Sequence, residues 1–291
     1  MNVVTVDRLT MHYGRRVGVE GLNLTVPEGS MFGFLGPNGS GKTTTIRVLL
    51  GFLRPNLGEA RVFELDCWSH SAKIKAEVGY LPGDLRLYPW LTCREALRLF
   101  GRVRGRDLTK AGAELSEDFG LDPDVRVRAM SRGMRQKLGL ILALAHRPRL
   151  LILDEPTASL DPLMQEKLYR RMGEAVAEGR TVFLSSHTLD EVERLCSRVV
   201  ILREGKVVAD DTLESLRARA RRMVTIQWRD AGAARQAPPP FLSILQHQPQ
   251  AWRATLTGST VELVRWSAGQ AIEDLSIEQP DLTALFQAFY S

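Results

Sequence analysis

Nothing restricts what this chain can fold into more than residues 36–44, which read GPNGSGKTT. Before them lies the apolar run Met31-Phe32-Gly33-Phe34-Leu35, the pattern of a buried strand. After them Ile46-Arg47-Val48-Leu49-Leu50 continues as a helix until Gly51 stops it. Strand, glycine loop and helix N-terminus, in that order, are the setting of a phosphate-binding loop. Glycines let backbone N–H groups turn inward without Cβ clashes and form a nest for phosphate oxygens. Lys42 can then reach the terminal phosphates, and the Thr43 hydroxyl can ligate Mg2+.

A second apolar run, Leu150-Leu151-Ile152-Leu153, does not alternate and so reads as a strand buried on both faces of a parallel sheet. It ends in Asp154-Glu155, and the C-terminal edge of such a strand is where ligands bind in open α/β sheets. Asp154 is expected to hold Mg2+ through its waters, and Glu155 to orient or deprotonate an attacking water. Thr181-Val182-Phe183-Leu184 reads as a neighbouring strand with the polar end Ser185-Ser186-His187. There His187 is expected to contact a γ-phosphate. Tyr13 is either a half-buried strand aromatic or a ring stacked on adenine, which an aromatic face accepts without specific hydrogen bonds.

Around these motifs the chain changes character. Residues 3–35 alternate as strands do, at Val4, Val6 and Leu9, then Val17 and Val19, then Leu22, Leu24 and Val26. Residues 59–63 suggest another strand, and 78–84 a short strand ending in a loop. The block 85–146 reads as mostly helical. Thr92 is an N-cap followed by Leu97, Leu99, Phe100 and Val103; Ala111, Leu115, Phe119 and Leu121 mark a second helix. Ser131 caps a third, with Leu138, Ile141, Leu142 and Leu144 on its apolar face. Further helices are expected at 162–179, 188–196 and 212–222, and strands near 198–203 and 206–210. Residues 229–240, with Gly232 and Pro238-Pro239-Pro240, resemble a linker or long loop. Beyond them, alternation at Val261, Leu263 and Val264 and at Leu275 and Ile277 precedes an amphipathic helix bearing Leu282, Leu285, Phe286 and Phe289. Residues 223–291 thus read as a small α/β appendage without a catalytic set.

Composition bears on where such a chain works. No run approaches the ~20 apolar residues of a membrane helix, and the start MNVVTVDRLTMHYG has no secretory pattern. Cys67, Cys93 and Cys196 are scattered and lack metal-type spacing, which fits a reducing cytosol. A net charge of +5 is mildly basic. Arg102, Arg104 and Arg106, and Arg217, Arg219, Arg221 and Arg222, read as solvated helix faces or, next, as contacts to an anionic membrane surface. Nucleic acid is the weakest reading, because no aromatics interleave with these arginines.

Taken in order, the motifs resemble the ATP-binding subunits of ABC transporters, over about residues 2–225 and more loosely in the tail. Residues 36–44 look like the Walker A loop and 150–155 like Walker B with its catalytic glutamate. Residues 131–136 look like the signature, Ser159-Leu160-Asp161 like the D-loop, His187 like the switch histidine and Tyr13 like the adenine-stacking aromatic. The resemblance implies an α/β fold, a P-loop NTPase of ABC type. Its mixed-sheet core, antiparallel β subdomain and helical subdomain would occupy residues 1–222, ahead of the 223–291 appendage. It implies a Mg2+-dependent ATP hydrolase in which Lys42, Glu155 and His187 are catalytic and Thr43 and Asp154 face the metal. ATP would be held by Tyr13, Gly36, Pro37, Asn38, Gly39, Ser40, Gly41, Lys42, Thr43 and Thr44, and by Ser131, Gly133 and Asp161.

Two departures stand out. The family's usual Leu-Ser-Gly-Gly-Gln is here Met130-Ser131-Arg132-Gly133-Met134, which keeps the serine hydroxyl and the close backbone approach of Gly133. Gly83 stands where the Q-loop glutamine belongs. Either Asp84 or a water takes its place, or coupling to the membrane partner is weaker.

In this family two ATP-binding domains face head to tail, each ATP lying between one Walker A loop and the other signature serine. The resemblance therefore implies a second ATP-binding subunit, the same chain or a related one. It also implies an integral membrane permease, a peripheral place on the cytoplasmic face of the membrane, and no nucleic-acid partner. Leu85, Leu87, Tyr88, Pro89, Trp90 and Leu91 either form the groove for a permease helix or pack the helical block. The short tail resembles exporter subunits more than sugar importers. The competing class is a soluble ABC ATPase acting on ribosomes or nucleic acid. Its ribosome-acting members usually carry two ATP-binding domains, and its DNA-repair members a long coiled coil before the signature. Here one set of motifs occurs, and only 131 − 42 = 89 residues separate Lys42 from Ser131.

Overall fold

The computed structural model describes residues 1–219, 222–230, 232, 234, 236–280 and 286. The chain divides into two compact units, Met1–Asp211 and Thr212–Ser291. That division comes one helix earlier than the composition suggests.

In the first unit β1 (Asn2–Tyr13) and β2 (Arg16–Pro27) form a long antiparallel hairpin. Val4, Val6, Leu22, Leu24 and Val26 are buried as period-two patterning requires of one face, and Leu9 is buried too, beyond an irregularity in the pairing after Val6. β3 (Met31–Leu35) leads through the glycine loop into α1 (Lys42–Leu49). β4 (Leu57–Val62) and β5 (Leu65–Asp66) complete a four-stranded sheet in the order β2-β1-β4-β5. Next come α2 (Ser71–Glu77), β6 (Val78–Leu81) and the helical block of α3 (Cys93–Arg104), α4 (Thr109–Asp118), a 3-10 turn at Val127–Ala129, and α5 (Arg132–Leu144). β7 (Leu150–Asp154), α6 (Pro162–Ala177), β8 (Thr181–Ser186), α7 (Leu189–Leu195), β9 (Arg198–Arg203) and β10 (Lys206–Thr212) follow.

The six-stranded sheet runs β10-β9-β3-β8-β7-β6, with the five strands from β9 to β6 parallel. Every residue of β3, β7 and β8 is buried, which is why their sequences are continuous runs rather than alternations. Phe183 stacks on Phe32 at a centroid distance of 5.7 Å and meets Phe34 tilted at 5.2 Å. Each such side chain contributes about 1.5–3 kcal/mol by leaving water. This strand order also sets up the site: β8 lies between β3 and β7, so their C-terminal ends emerge side by side.

In the helical block a capping box fixes the start of α3. The Thr92 hydroxyl accepts from Glu95 N at 3.2 Å, and the Glu95 carboxylate accepts from Thr92 N at 2.8 Å. Such a cap stabilises by about 1 kcal/mol. Leu99 and Val103 lie in α3 as expected and face water, Val103 at 78% exposure. The buried stripe is Cys93, Ala96, Leu97 and Gly101. Phe119 and Leu121 are buried but lie beyond the end of α4. Asp118, at that end, accepts from Arg170 and Arg171 of α6 at 2.8 Å each, and Lys167 donates to its carbonyl. Arg106 reaches Glu77 and the His146 carbonyl, and the half-buried Arg104 guanidinium lies over the Phe100 ring. All three cysteines are free and buried.

The second unit holds α8 (Leu213–Arg219), β11 (Arg222–Trp228), β12 (Leu242–Gln248), β13 (Ala251–Leu256), α9 (Thr260–Ser267) and β14 (Ile272–Pro280). Its sheet is antiparallel, in the order β12-β13-β11-β14. Trp228 packs edge-on against Trp252 and Trp266 in its core. Several expectations are corrected here. Val261, Leu263 and Val264 belong to a helix, since Ser259 and Glu262 form a capping box and only Leu263 of the three is buried. Arg222 opens a strand instead of ending a helix. Residues 229–240 connect two strands of one sheet, and the Ala234 carbonyl within them accepts from Trp252 Nε1. Leu282, Leu285 and Phe289 lie outside the described residues, while Phe286 is buried. Among the described residues no helix is long and apolar enough to cross a membrane.

Candidate active site

The loop between β3 and α1 is shaped by two close approaches. A Cβ at Gly36 would stand 2.5 Å from the Leu202 carbonyl oxygen, and one at Gly41 would stand 2.6 Å from that of Gly18. Gly41 also has φ +109, a conformation glycine adopts without strain. The loop is buttressed where Gly36 N donates to the Ser186 carbonyl and Gly205 N to that of Ser40. The first-turn N–H groups of α1 have no intrahelical acceptor and aim at the loop, so an anion is favoured there.

Lys42 is buried, with Nζ donating to the carbonyls of Gly36 at 2.6 Å and Pro37 at 3.2 Å. Burial pulls its ammonium below lysine's ordinary pKa range, while the neighbouring Glu155 and Asp154 carboxylates push back. Glu155 Oε1 lies 3.5 Å from Lys42 Nζ, and Glu155 Oε2 lies 3.4 Å from His187 Nδ1. The three expected catalytic residues are therefore one chain of contacts. Glu155 has φ +51, which a glutamate adopts only when its surroundings enforce it, and its N–H donates to the Ser185 carbonyl. Asp154 is buried; Thr43 Oγ1 donates to its Oδ2 at 2.9 Å, and the Ser185 hydroxyl donates to its Oδ1. A hydroxyl and a carboxylate thus converge, and no cluster of three or more metal-binding side chains occurs among the described residues. That donor set fits Mg2+, which keeps several waters and takes other oxygens from phosphates.

Of these groups Lys42, Thr43 and Glu155 line a cavity of about 350 Å³ together with Tyr13, Asn38, Gly39, Gly41 and Thr44, whereas Asp154 and His187, and the loop residues Gly36, Pro37 and Ser40, are not part of its lining. Tyr13 presents a half-exposed ring there, its hydroxyl 3.5 Å from Thr44 Oγ1. Arg16, Val17, Gly18 and Arg47 line it too, and sequence reasoning did not single them out as site residues. The signal for Arg47 is its position four residues, or one helical turn, after Thr43; Arg16 and Val17 belong to the hairpin that carries Tyr13.

Ser131, Gly133 and Asp161 do not line this cavity. The exposed Ser131 caps α5 by accepting from Met134 N at 3.2 Å. A Cβ at Gly133 would stand 2.9 Å from the Ser159 carbonyl oxygen, so the signature abuts the D-loop. Asp161 caps α6, accepting from Met164 N at 2.9 Å. Gln136 Nε2 donates to the Pro156 carbonyl at 2.9 Å, linking α5 to the turn after Glu155.

Gly83 faces this chemistry directly, since a Cβ there would lie 3.5 Å from Asp154 Oδ2, an ordinary contact. Asp84 does not fill that space: it is exposed and paired with Arg86. A Cβ is therefore tolerated at Gly83, and Gly83→Gln is expected to change ATPase stimulation by a membrane partner more than basal turnover. Equal changes in both rates, measured with and without the partner, would make Gly83 incidental.

A family model described as ABC transporter matches residues 19–158. The bacitracin transport ATP-binding protein BcrA of Bacillus licheniformis is 37% identical over 236 residues, covering 80% of this chain and 77% of that protein. The Nod factor export ATP-binding protein I of Paraburkholderia xenovorans (strain LB400) is 37% identical over 218 residues, covering 73% and 72%. A solved structure described as an ATP-binding subunit of an ABC transporter superposes with a TM-score of 0.71 at 32% identity, over 75% of this chain and 92% of that one.

Proposed function

Because this chain belongs to the family of ABC transporter ATP-binding subunits, we propose that it powers export by ATP-driven closure against a second such subunit beneath a separate permease. One observation carries the reading. Lys42, Thr43, Asp154, Glu155 and His187 form a continuous set of contacts at a phosphate-binding loop, while the exposed Ser131 and its neighbour Gly133 stand outside the cavity.

The division of labour follows from the chemistry. Loop N–H groups and the Lys42 ammonium hold the β- and γ-phosphates, with Lys42 exchanging its own loop carbonyls for phosphate oxygens. Tyr13 takes the base on its ring face. Glu155 is placed to orient and deprotonate the attacking water, and His187 to fix Glu155 and touch the γ-phosphate. Thr43 and Asp154 would hold Mg2+, which when bound offsets charge on the phosphate oxygens. A γ-phosphate gripped by one subunit lacks donors on its far side. The Ser131 hydroxyl and the Gly133 backbone of a second copy would supply them, so the pair closes on ATP and parts after hydrolysis.

Export is favoured by the Nod factor export relative, though the cargo itself is selected by the permease. The permease is an integral membrane protein, and this chain would lie peripherally on the cytoplasmic face. Its docking patch is assigned to Tyr88 and Trp90, exposed at 58% and 63% and stacked at 5.0 Å. Leu85 packs near Gly139 instead. Paired exposed aromatics are typical anchors for a partner helix. Replacing both by alanine is expected to reduce copurification of the permease from detergent-solubilised membranes by roughly 30-fold or more, with basal ATPase intact. Undiminished copurification would place the docking surface elsewhere.

A further inference from the structure

We propose that Glu191 is a positioning residue for hydrolysis, its buried carboxylate holding in place, through the Ser186 hydroxyl, the segment that carries His187. The proposal rests on the reading of Glu155 and His187 as the hydrolytic pair. Glu191 lies in the first turn of α7 and is only 6% exposed. Its Oε2 accepts from the Ser186 hydroxyl at 2.6 Å. That hydroxyl in turn accepts from Thr188 N at 3.1 Å. Ser186 thus bonds to both Thr188 and Glu191, across the segment that contains His187.

The carboxylate's other side faces the turn that follows Glu155. The Thr157 hydroxyl, two residues after Glu155, stands close enough to favour the charged form. Oε1 is nevertheless buried without a donor in good hydrogen-bond geometry among the described residues. Burial raises the Glu191 pKa above the usual carboxylate range. Ser186, Thr157 and the nearby His187 oppose that rise, and the Glu155 charge adds to it. A carboxylate is an expensive group to bury, and the next residue, Val192, shows that this turn accommodates a hydrocarbon in the core. What a hydrocarbon lacks is directional bonding to the Ser186 hydroxyl. Without the brace, His187 and Glu155 would sample a wider range of separations than the 3.4 Å contact allows.

The test uses the full chain, reading phosphate release for turnover and a fluorescent ATP analogue for affinity. Glu191→Ala is expected to lower kcat roughly 10- to 100-fold while nucleotide affinity changes less than about threefold. Ser186→Ala should do the same, and the double variant should lose no more than the worse single one, since both remove one bond. Glu191→Gln, which keeps an oxygen for Ser186 and offers N–H to Thr157, should recover most of the rate. An unchanged kcat in Glu191→Ala overturns the proposal. So does a parallel fall in nucleotide affinity, or a multiplicative loss in the double variant. If Glu191→Ala does not fold, Ser186→Ala decides alone, and an unchanged kcat there overturns the proposal. Glu155→Gln run beside them separates the outcomes: a normal rate in that variant sinks the underlying reading, whereas its loss beside an active Glu191→Ala sinks only this one.

Discussion

Lys42→Ala is expected to abolish ATP turnover. The ammonium is 5% exposed and lies within 3.5 Å of Glu155 and of two loop carbonyls. A triphosphate entering the loop therefore meets one buried cation from the chain, and the mutant offers only N–H dipoles in its place. Losing a preorganised charge in a water-poor site costs on the order of 10³-fold or more in rate. Glu155 also loses its nearest positive neighbour. Phosphate release by the purified variant checks this, with a thermal melt to show that the fold persists. Turnover at the parent rate would remove Lys42 from the mechanism.

Glu155→Gln should slow hydrolysis by ~10²–10⁴ and still bind ATP. Glutamine keeps the length and an oxygen toward Lys42, and it can adopt the same left-handed backbone as glutamate, but it cannot take a proton from water. ATP then stays uncleaved between two copies, and the closed pair should accumulate. Sizing chromatography with ATP and Mg2+ reads it directly; a monomer alone would contradict the shared site.

What could be read in the sequence follows from how many constraints each segment carries. The loop, β3, β7 and β8 must satisfy backbone, burial and phosphate chemistry at once, so their residues leave little choice. The caps at Thr92 and Ser131 were equally legible, each being a hydroxyl ahead of an apolar run. Residues 261–264 were misread because a short helix that buries only Leu263 imitates alternation; the capping pair Ser259 and Glu262 was the better signal. Leu99 and Val103 marked α3 correctly although both face water, since their spacing of one turn is helical whichever face they occupy. Asp161, expected at the nucleotide, caps the start of α6 in the single chain. Glu191 passed unnoticed because an acid in a helix's first turn ordinarily reads as a partner for the macrodipole. Only the packing around it shows that it is buried.

The contact at Asp118 has a mechanical consequence. Arg170 and Arg171 hold it from the middle of α6, whose first turn starts at Asp161, beside the Ser159 carbonyl that Gly133 abuts. One rod is therefore tied to the helical block at its middle and meets it again beside its first turn, so a shift of the block has a direct route to the D-loop through α6. Part of that grip is ionic and only partly shielded from water, so the linkage should slacken as ionic strength rises.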